Sequence, residues 1–389
     1  MNKQSLLAVL KKNAMLIILV LVYLFFLIMT RGGIFSPSSF TELINQNAYV
    51  YILGAGMLMC MLTGGNIDLS CGAFVCLLGA LGGVFMIVQG LGTGVSILLL
   101  LAIGVVYGVV LGFLIAYVHI PPWIATLAGF LSFRGLGTSI LSANSKTGSL
   151  APFPVSFQNL FYGRVFPSEK GVFNWPCFIF GLLLAALVVL VIFITRKNRL
   201  AKGYEADSLK AAALKSGLGA AVIVLVMTRL ALDGGIPTTL LWVAGIILIY
   251  SFITSKTTIG RHFYVVGGNM EAARLSGVNT RRIMFLAYLN MAVLTTIATF
   301  TVIARSQSAY ADVGKNFEMD AISACVVGGV SASGGAGTVL GMVIGATLIG
   351  VINLGMSLIS LDANYQRVVK GFVLLAAVVF DILSKKRER

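Results

Sequence analysis

Apolar residues in this chain come in long runs, not in the alternation of a strand or the single stripe of a surface helix. The runs fall at 14–30, 46–63, 67–89, 94–118, 121–142, 176–195, 218–232, 236–254, 283–304, 338–359 and 366–383, with a shorter apolar piece at 321–330. A helix needs about 20 apolar residues to cross the hydrocarbon core, and most of these runs approach that length. The predicted fold class is all-α: a polytopic transmembrane helical bundle of about 10–12 membrane segments, some of them broken or re-entrant. The first run, "AMLIILVLVYLFFLIM", follows Lys11 and Lys12 as the core of a signal peptide would. It lacks a small-residue cleavage site and ends in "TRGGIF", so it reads as a retained first span.

Composition agrees with that pattern. Of 389 residues, 58% are hydrophobic and 11% charged, and the mean hydropathy is +0.97. A soluble domain carries about a quarter charged residues. The net charge of +15 would suit a nucleic-acid partner, but its placement points to topology. With the N-terminus in the cytoplasm and sides alternating, the cytoplasmic segments are 1–13, 196–217, 255–282 and 384–389. They hold 18 of the 28 Lys and Arg residues. Most acids fall outside, including Glu42, Glu169, Asp233, Asp312, Glu318, Asp320 and Asp362. This is the positive-inside bias, and it predicts a multi-pass cell-membrane protein with both termini cytoplasmic. The parity requires 321–330 and 338–359 to form one hairpin dipping in from outside. No nucleic-acid partner is implied; membrane lipid is. Trp123, Trp175 and Trp242 fall near span ends, as interfacial anchors do. The five cysteines lie in or beside apolar runs without metal-ligand spacing and read as packing thiols.

Three polar interruptions stand out. "GGNMEAARLSGVNTRR" (267–282) carries the marks of a bounded short helix. Asn269 suits the N-cap, Glu271 lies in the first turn where the helix dipole favours an acid, Ala272 and Ala273 are strong helix formers, and Gly277 fits the left-handed closing position. Such a helix is too short to be stable alone, since fewer than about 12 residues is marginal in water. "TGGNIDLSCG" (63–72) separates two apolar runs with no room for a proper loop. Here Gly64 and Gly65 let the backbone turn, Asn66 is placed to cap the next helix, and Ser70 lies in its first turn. Asp68 near that helix's positive end gains a few tenths to about 1 kcal/mol. "VVGGVSASGGAGTVLG" (326–341) repeats the plan with Gly328, Gly329, Ser331, Ser333, Gly334 and Gly335. Superposing the "GA" at 79–80 on that at 345–346 aligns the two as an internal repeat with poor residue identity.

Non-helical backbone at membrane depth survives only inside protein or along a wet cavity, and broken helices in related positions mark substrate paths in transporters. Gly and Ser also allow close helix packing, so both roles stand open for these clusters. Asp68 is the sharper case. An acid within a span costs roughly 2.5–3.5 kcal/mol on insertion scales and tends to be functional, yet a capping role fits equally.

The chemistry of an enzyme is missing. "DVGKNF" (312–317) has Gly-Lys, but Asn316 stands where a phosphate-binding loop needs Ser or Thr, and the upstream glycine is absent. His119 and His262 are far apart in sequence, and neither a catalytic triad nor paired carboxylates stand out. No cofactor and no metal site is implied, and the chain is not expected to be an enzyme.

Together "GRHFYVVGGNMEAARLSGVNTRR" (260–282), "GGNIDLSCG" (64–72) and "GGVSASGGAGTVLGMVIGA" (328–346) resemble the permease family of ribose-, xylose- and multiple-monosaccharide-type ATP-binding-cassette (ABC) importers. The resemblance runs over nearly the whole chain, and the three motifs in this order and spacing make it specific. The long outer segment 143–175 is most similar to the xylose or multiple-monosaccharide branch. Cys71 departs from the small or β-branched apolar residue expected there.

The resemblance implies one permease domain over 1–389, with a cytoplasmic coupling loop at about 255–282 and an extracytoplasmic loop at about 143–175. It implies a second permease subunit as a homodimer, a separate ABC ATPase subunit that hydrolyses ATP, and an extracytoplasmic binding protein that delivers a monosaccharide substrate. The family's Glu-Ala-Ala motif falls on Glu271, Ala272, Ala273 and Gly277. By that likeness the short helix docks on the ATPase, with Asn269 and Glu271 at its start, Arg274 facing Glu271 or an acid of the partner, and Gly277 setting the exit angle. The family's glycine and aspartate motif falls on Gly64, Gly65, Asp68 and Ser70. An unpartnered surface helix is the plainer alternative. The competing class is an ion-driven secondary transporter, which needs ionisable groups near mid-membrane; beyond Asp68 the spans offer few.

Overall fold

The computed structural model describes residues 14–386 apart from 170 and 207. The basic ends counted above, 1–13 and 387–389, lie outside the described residues. The chain is almost entirely helical. α1 (Ala14–Met29) is followed by a 3-10 turn at Gly33–Phe35. Ser36 then caps α2 (Pro37–Leu62) by accepting the Ser39 amide, and Pro37 sits in the first turn, where a missing N–H is harmless. α3 (Cys71–Gly83) widens into a π turn at Val84–Val88. α4 (Thr93–Ala116) and α5 (Pro122–Asn144) follow.

One end of the bundle is closed by short ribbons. β1 (Ser149–Leu150), α6 (Val155–Tyr162) and β2 (Arg164–Val165) come from the 143–175 segment. Two long helices follow, α7 (Trp175–Ala201) and α8 (Leu209–Leu232), then β3 (Ile236–Pro237), which pairs antiparallel with β2. α9 (Thr238–Lys256) leads to α10 (Thr258–Gly268) and α11 (Met270–Leu275) at the opposite end. α12 (Thr280–Ser306) returns to β4 (Ala309–Tyr310), which pairs antiparallel with β1. The chain finishes with α13 (Phe317–Val327), α14 (Val339–Leu358) and α15 (Ala363–Lys386).

Eight helices among the described residues are long and apolar enough to cross a membrane. The expected spans at 94–118, 121–142, 283–304 and 338–359 correspond to α4, α5, α12 and α14 within a few residues. Two differ at their starts. α8 begins at Leu209 instead of 218, because Ser208 caps its first turn and the residues that follow, Lys210 and Lys215 among them, are good helix formers. α2 begins at Pro37 instead of 46 and carries Asn45, Gln46 and Asn47 in its first half. Those polar residues are tolerated because α2 is the central helix, packed by α12, α13 and α14, with Val50, Leu53, Met57, Leu58 and Leu62 at 0% exposure. By contrast α7 and α8 pack on each other and leave Leu183, Leu190, Leu218 and Val222 exposed. Apolar side chains turned outward from a bundle suit lipid as solvent. All five cysteines are buried and free, as packing thiols.

The 321–330/338–359 hairpin is deeper than a shallow re-entrant dip. Helix rise puts Tyr49 about 20 Å from Leu62 along α2. The Tyr49 hydroxyl donates to Asp320 at 2.6 Å, so α13 starts roughly half-way through the bundle. α3 starts at the same depth, where a Cβ on Gly72 would meet the Gly314 carbonyl and the Glu318 carboxylate. Residues 63–70 and 307–316 therefore each cover about half of the bundle's depth without α-helix. The turn joining α13 to α14 reaches the far end, where the Gly335 amide donates to the Leu62 carbonyl at 3.1 Å.

Candidate functional site

In the first break, Thr63 ends α2, and Gly64 and Gly65 take φ of +113° and +76°, a region that only glycine enters cheaply. Asn66 does not cap α3. Its side-chain amide turns back to donate to the Thr63 carbonyl at 3.0 Å. Asp68, 1% exposed, ties this turn: one carboxylate oxygen accepts the Ser70 amide at 2.8 Å and the Ser70 hydroxyl at 2.5 Å. Ser70 stands just before the first turn of α3, not within it. Its Oγ also lies 2.6 Å from the Tyr107 hydroxyl of α4, so Tyr107, Ser70 and Asp68 form one buried line. Of the two roles open for Asp68, the observed geometry is that of a turn-closing acceptor whose charge is met by hydrogen bonds.

The second break supplies Gly329, Gly334 and Gly335, with φ of +83°, +86° and +72°. Gly328 serves close packing instead, since a Cβ there would run into the Gly341 carbonyl of α14. Ser331 and Ser333 close the loop through their hydroxyls at 2.9 Å. The two breaks press on each other. A Cβ on Gly334 would come within 2.8 Å of the Gly65 nitrogen, and one on Gly65 would strike the Ala332 carbonyl.

A third strand of backbone joins them. At the end of α10, a Cβ on Gly267 would strike the Leu62 carbonyl and lie 2.6 Å from the Gly335 nitrogen. The Tyr264 hydroxyl donates to the Gly337 carbonyl at 3.0 Å, and Phe263 and Val266 are buried in the main core. Next comes α11, a six-residue helix. Asn269 caps it by accepting the Ala272 amide at 2.9 Å, and Gly277 follows at φ +83°. Arg274 donates to Glu271 at 2.6 Å, with both side chains about two-thirds exposed. Ala273 is buried, while Leu275 is 79% exposed. Of the motif residues, Gly335 thus meets the backbone that leads into α11, while Gly64, Gly65 and Gly334 pack on one another beside it. Asp68 and Ser70 do not; they face Tyr107.

The chain's similarity to known proteins bears on this arrangement. The family described as "branched-chain amino acid transport system / permease component" matches residues 39–378, which include both breaks and the α10–α11 segment. The chain belongs to this permease family. The xylose transport system permease protein of Haemophilus influenzae is 32% identical over 96% of both chains. Its namesake in Escherichia coli K12 is 31% identical, over 96% of this chain and 92% of its own. The ribose import permease protein of Escherichia coli K12 is 28% identical over 89% and 88%. No solved structure matches. The permease is a multi-pass membrane protein.

Sequence reasoning missed a charge cluster in the permease. Glu318 and Asp320, counted among the outer acids, are each 4% exposed. Asp320 pairs with Lys370 of α15 at 2.9 Å and accepts from Tyr49, whose ring stacks on Phe317 at 3.6 Å. The missed signal was their place in the first turn of a helix directly before "AISACVV", since an acid there favours the dipole and enters the bundle with its helix. Arg134 of α5 and Arg305 in the last turn of α12 are also tied down: Arg305 pairs with Glu42, and Arg134 donates to the Ala311 and Val313 carbonyls at 3.0 and 2.8 Å.

Proposed function

We propose that the chain is the pore-forming permease subunit of an ABC importer that carries a monosaccharide, xylose or a related sugar. The full-length similarity to xylose and ribose permeases supports the sugar class. In this reading an extracytoplasmic binding protein delivers the sugar at the ribbon-closed end, a second copy of the permease completes the pore, and both termini are cytoplasmic. A separate ABC ATPase subunit hydrolyses ATP and docks on α11.

One observation carries the coupling role. α11 is exposed and the end of α10 abuts the point where Leu62 and Gly335 meet, so a displacement of α11 would be felt first at the Leu62 carbonyl and the Gly335 amide. Tight packing transmits displacement because interiors have little free volume. Glu271→Lys or Gly277→Pro is expected to abolish ATP-driven uptake of labelled D-xylose while membrane insertion persists. Normal uptake by both variants would remove the coupling role.

The Asp320–Lys370 pair gives the ion-driven reading the interior ionisable groups that the sequence seemed to lack. It is tested by the same uptake assay: uptake that needs an ion gradient and no ATPase favours it.

A further inference from the structure

The last turns of α7, the first turns of α8 and the turn between them enclose a cavity of about 240 Å³. α7 starts from the ribbon-closed end, so the cavity lies at the end of the bundle that carries α11. It is smaller than the roughly 300–1,000 Å³ of pockets for drug-sized ligands and suits a compact group. Its chemistry is one-sided. Arg196 and Arg199 of α7 and Lys215 of α8 line it, and Thr195 adds a hydroxyl. Among the described residues no carboxylate lines it. Arg196 and Lys215 each have an interaction within the chain as well. Segment 196–217 holds six Lys or Arg residues against two acids, Glu205 and Asp207, so a net charge of +4 stays whichever ion pairs form.

The cavity also opens onto an apolar strip. Val191 lines it and is 51% exposed. One turn back along α7 stands Leu187, also exposed. On α8, Leu218 and Val222 follow Lys215 on the same helix face, and both are exposed. α7 and α8 are consecutive and packed on each other, so the two rows leave the cavity together, towards the middle of the membrane. A cationic pocket at the helix ends that continues into an apolar strip along the helix flanks has the layout of a phospholipid.

We propose that this cavity binds the phosphate headgroup of an anionic phospholipid, with Arg199 and Lys215 at the phosphate and an acyl chain along Leu187, Val191, Leu218 and Val222. Basic pockets between membrane helices take such headgroups, and each cation near anionic lipid strengthens binding about fivefold. A free phosphate ion offers the same anion but leaves the apolar strip uncovered. The site goes beyond the transport reading and is independent of it, since it requires only that α7 and α8 stand in a membrane.

The test uses the purified full-length permease in detergent, stripped of native lipid, and native mass spectrometry to measure binding. The probes are phosphatidylglycerol, zwitterionic phosphatidylethanolamine and soluble glycerol 3-phosphate. Phosphatidylglycerol is expected to bind about fivefold or more tightly than phosphatidylethanolamine, and glycerol 3-phosphate far more weakly than either lipid. Arg199→Gln with Lys215→Gln should remove the preference for the anionic lipid. Lys197→Gln with Lys202→Gln, which takes the same charge from exposed residues outside the cavity, should keep it. Leu218→Asn should weaken both lipids alike. All five side chains are exposed, and an unchanged melting temperature checks that each variant is folded. No preference in the native protein, or equal loss in the two double variants, overturns the site. Glycerol 3-phosphate binding as tightly as the lipid overturns the lipid assignment. An unchanged lipid preference with less ATPase recovered in Arg199→Gln/Lys215→Gln overturns it too, and gives these cations to a protein contact.

Discussion

α10 and α11 are neighbours in sequence with opposite surroundings. α10 buries Phe263 and Val266, and Gly267 in its last turn lies against two backbones with no room for a methyl group. α11 buries only Ala273 and turns Met270, Glu271, Arg274 and Leu275 outward. Their glycines differ in the same way. Gly267 is needed for space, while Gly277 has open space around it and is needed for its positive φ. A segment locked at one end and exposed at the other is the arrangement that the proposed coupling role requires.

The largest effect is expected where that lock is broken. Gly267→Val forces branched carbons into the Leu62 carbonyl and the Gly335 amide, and overpacking of this kind costs about 1–3 kcal/mol or more. Detergent-extracted protein should lose thermal stability, and uptake should fall to background. A variant of native stability with full uptake would show that the three backbones do not need their close approach.

Leu275→Asp tests the outer end. With Leu275 79% exposed, the isolated permease should keep its melting temperature, while the amount of ATPase recovered with it drops several-fold. Equal recovery would place the docking surface elsewhere. Gly277→Ala is the mildest change: no atom obstructs the new methyl, but a left-handed alanine costs about 1 kcal/mol. Uptake should fall by less than half, and a complete loss would mean that the exit turn must flex during the cycle.

Much of this was legible in the sequence because it depends on local chemistry. The caps of α11 follow from Asn269 and Gly277 side-chain and backbone preferences within a few residues. Gly64, Gly65, Gly334 and Gly335 announce turns for the same reason. Asn66 was misread as a cap because it competes with Asp68, two residues on, for the start of α3, and only the folded turn decides between them. The internal-repeat alignment of the two breaks did not anticipate that they touch. Contact between residues 65 and 332 is set by the path of α3 through α13, which no local pattern encodes.

The sequence by itself determined that this is a helical membrane protein, where its helices break and where a short capped helix stands between two of them. Those features follow from the price of unpaired backbone in hydrocarbon and from short-range caps. Only the tertiary structure decided that α2 is central despite its asparagines and that Glu318 and Asp320 lie inside. It likewise decided that the end of α10 abuts the Leu62–Gly335 contact between the two glycine turns. Burial of a helix face depends on which helices surround it, and that is a property of the whole packing, not of the segment.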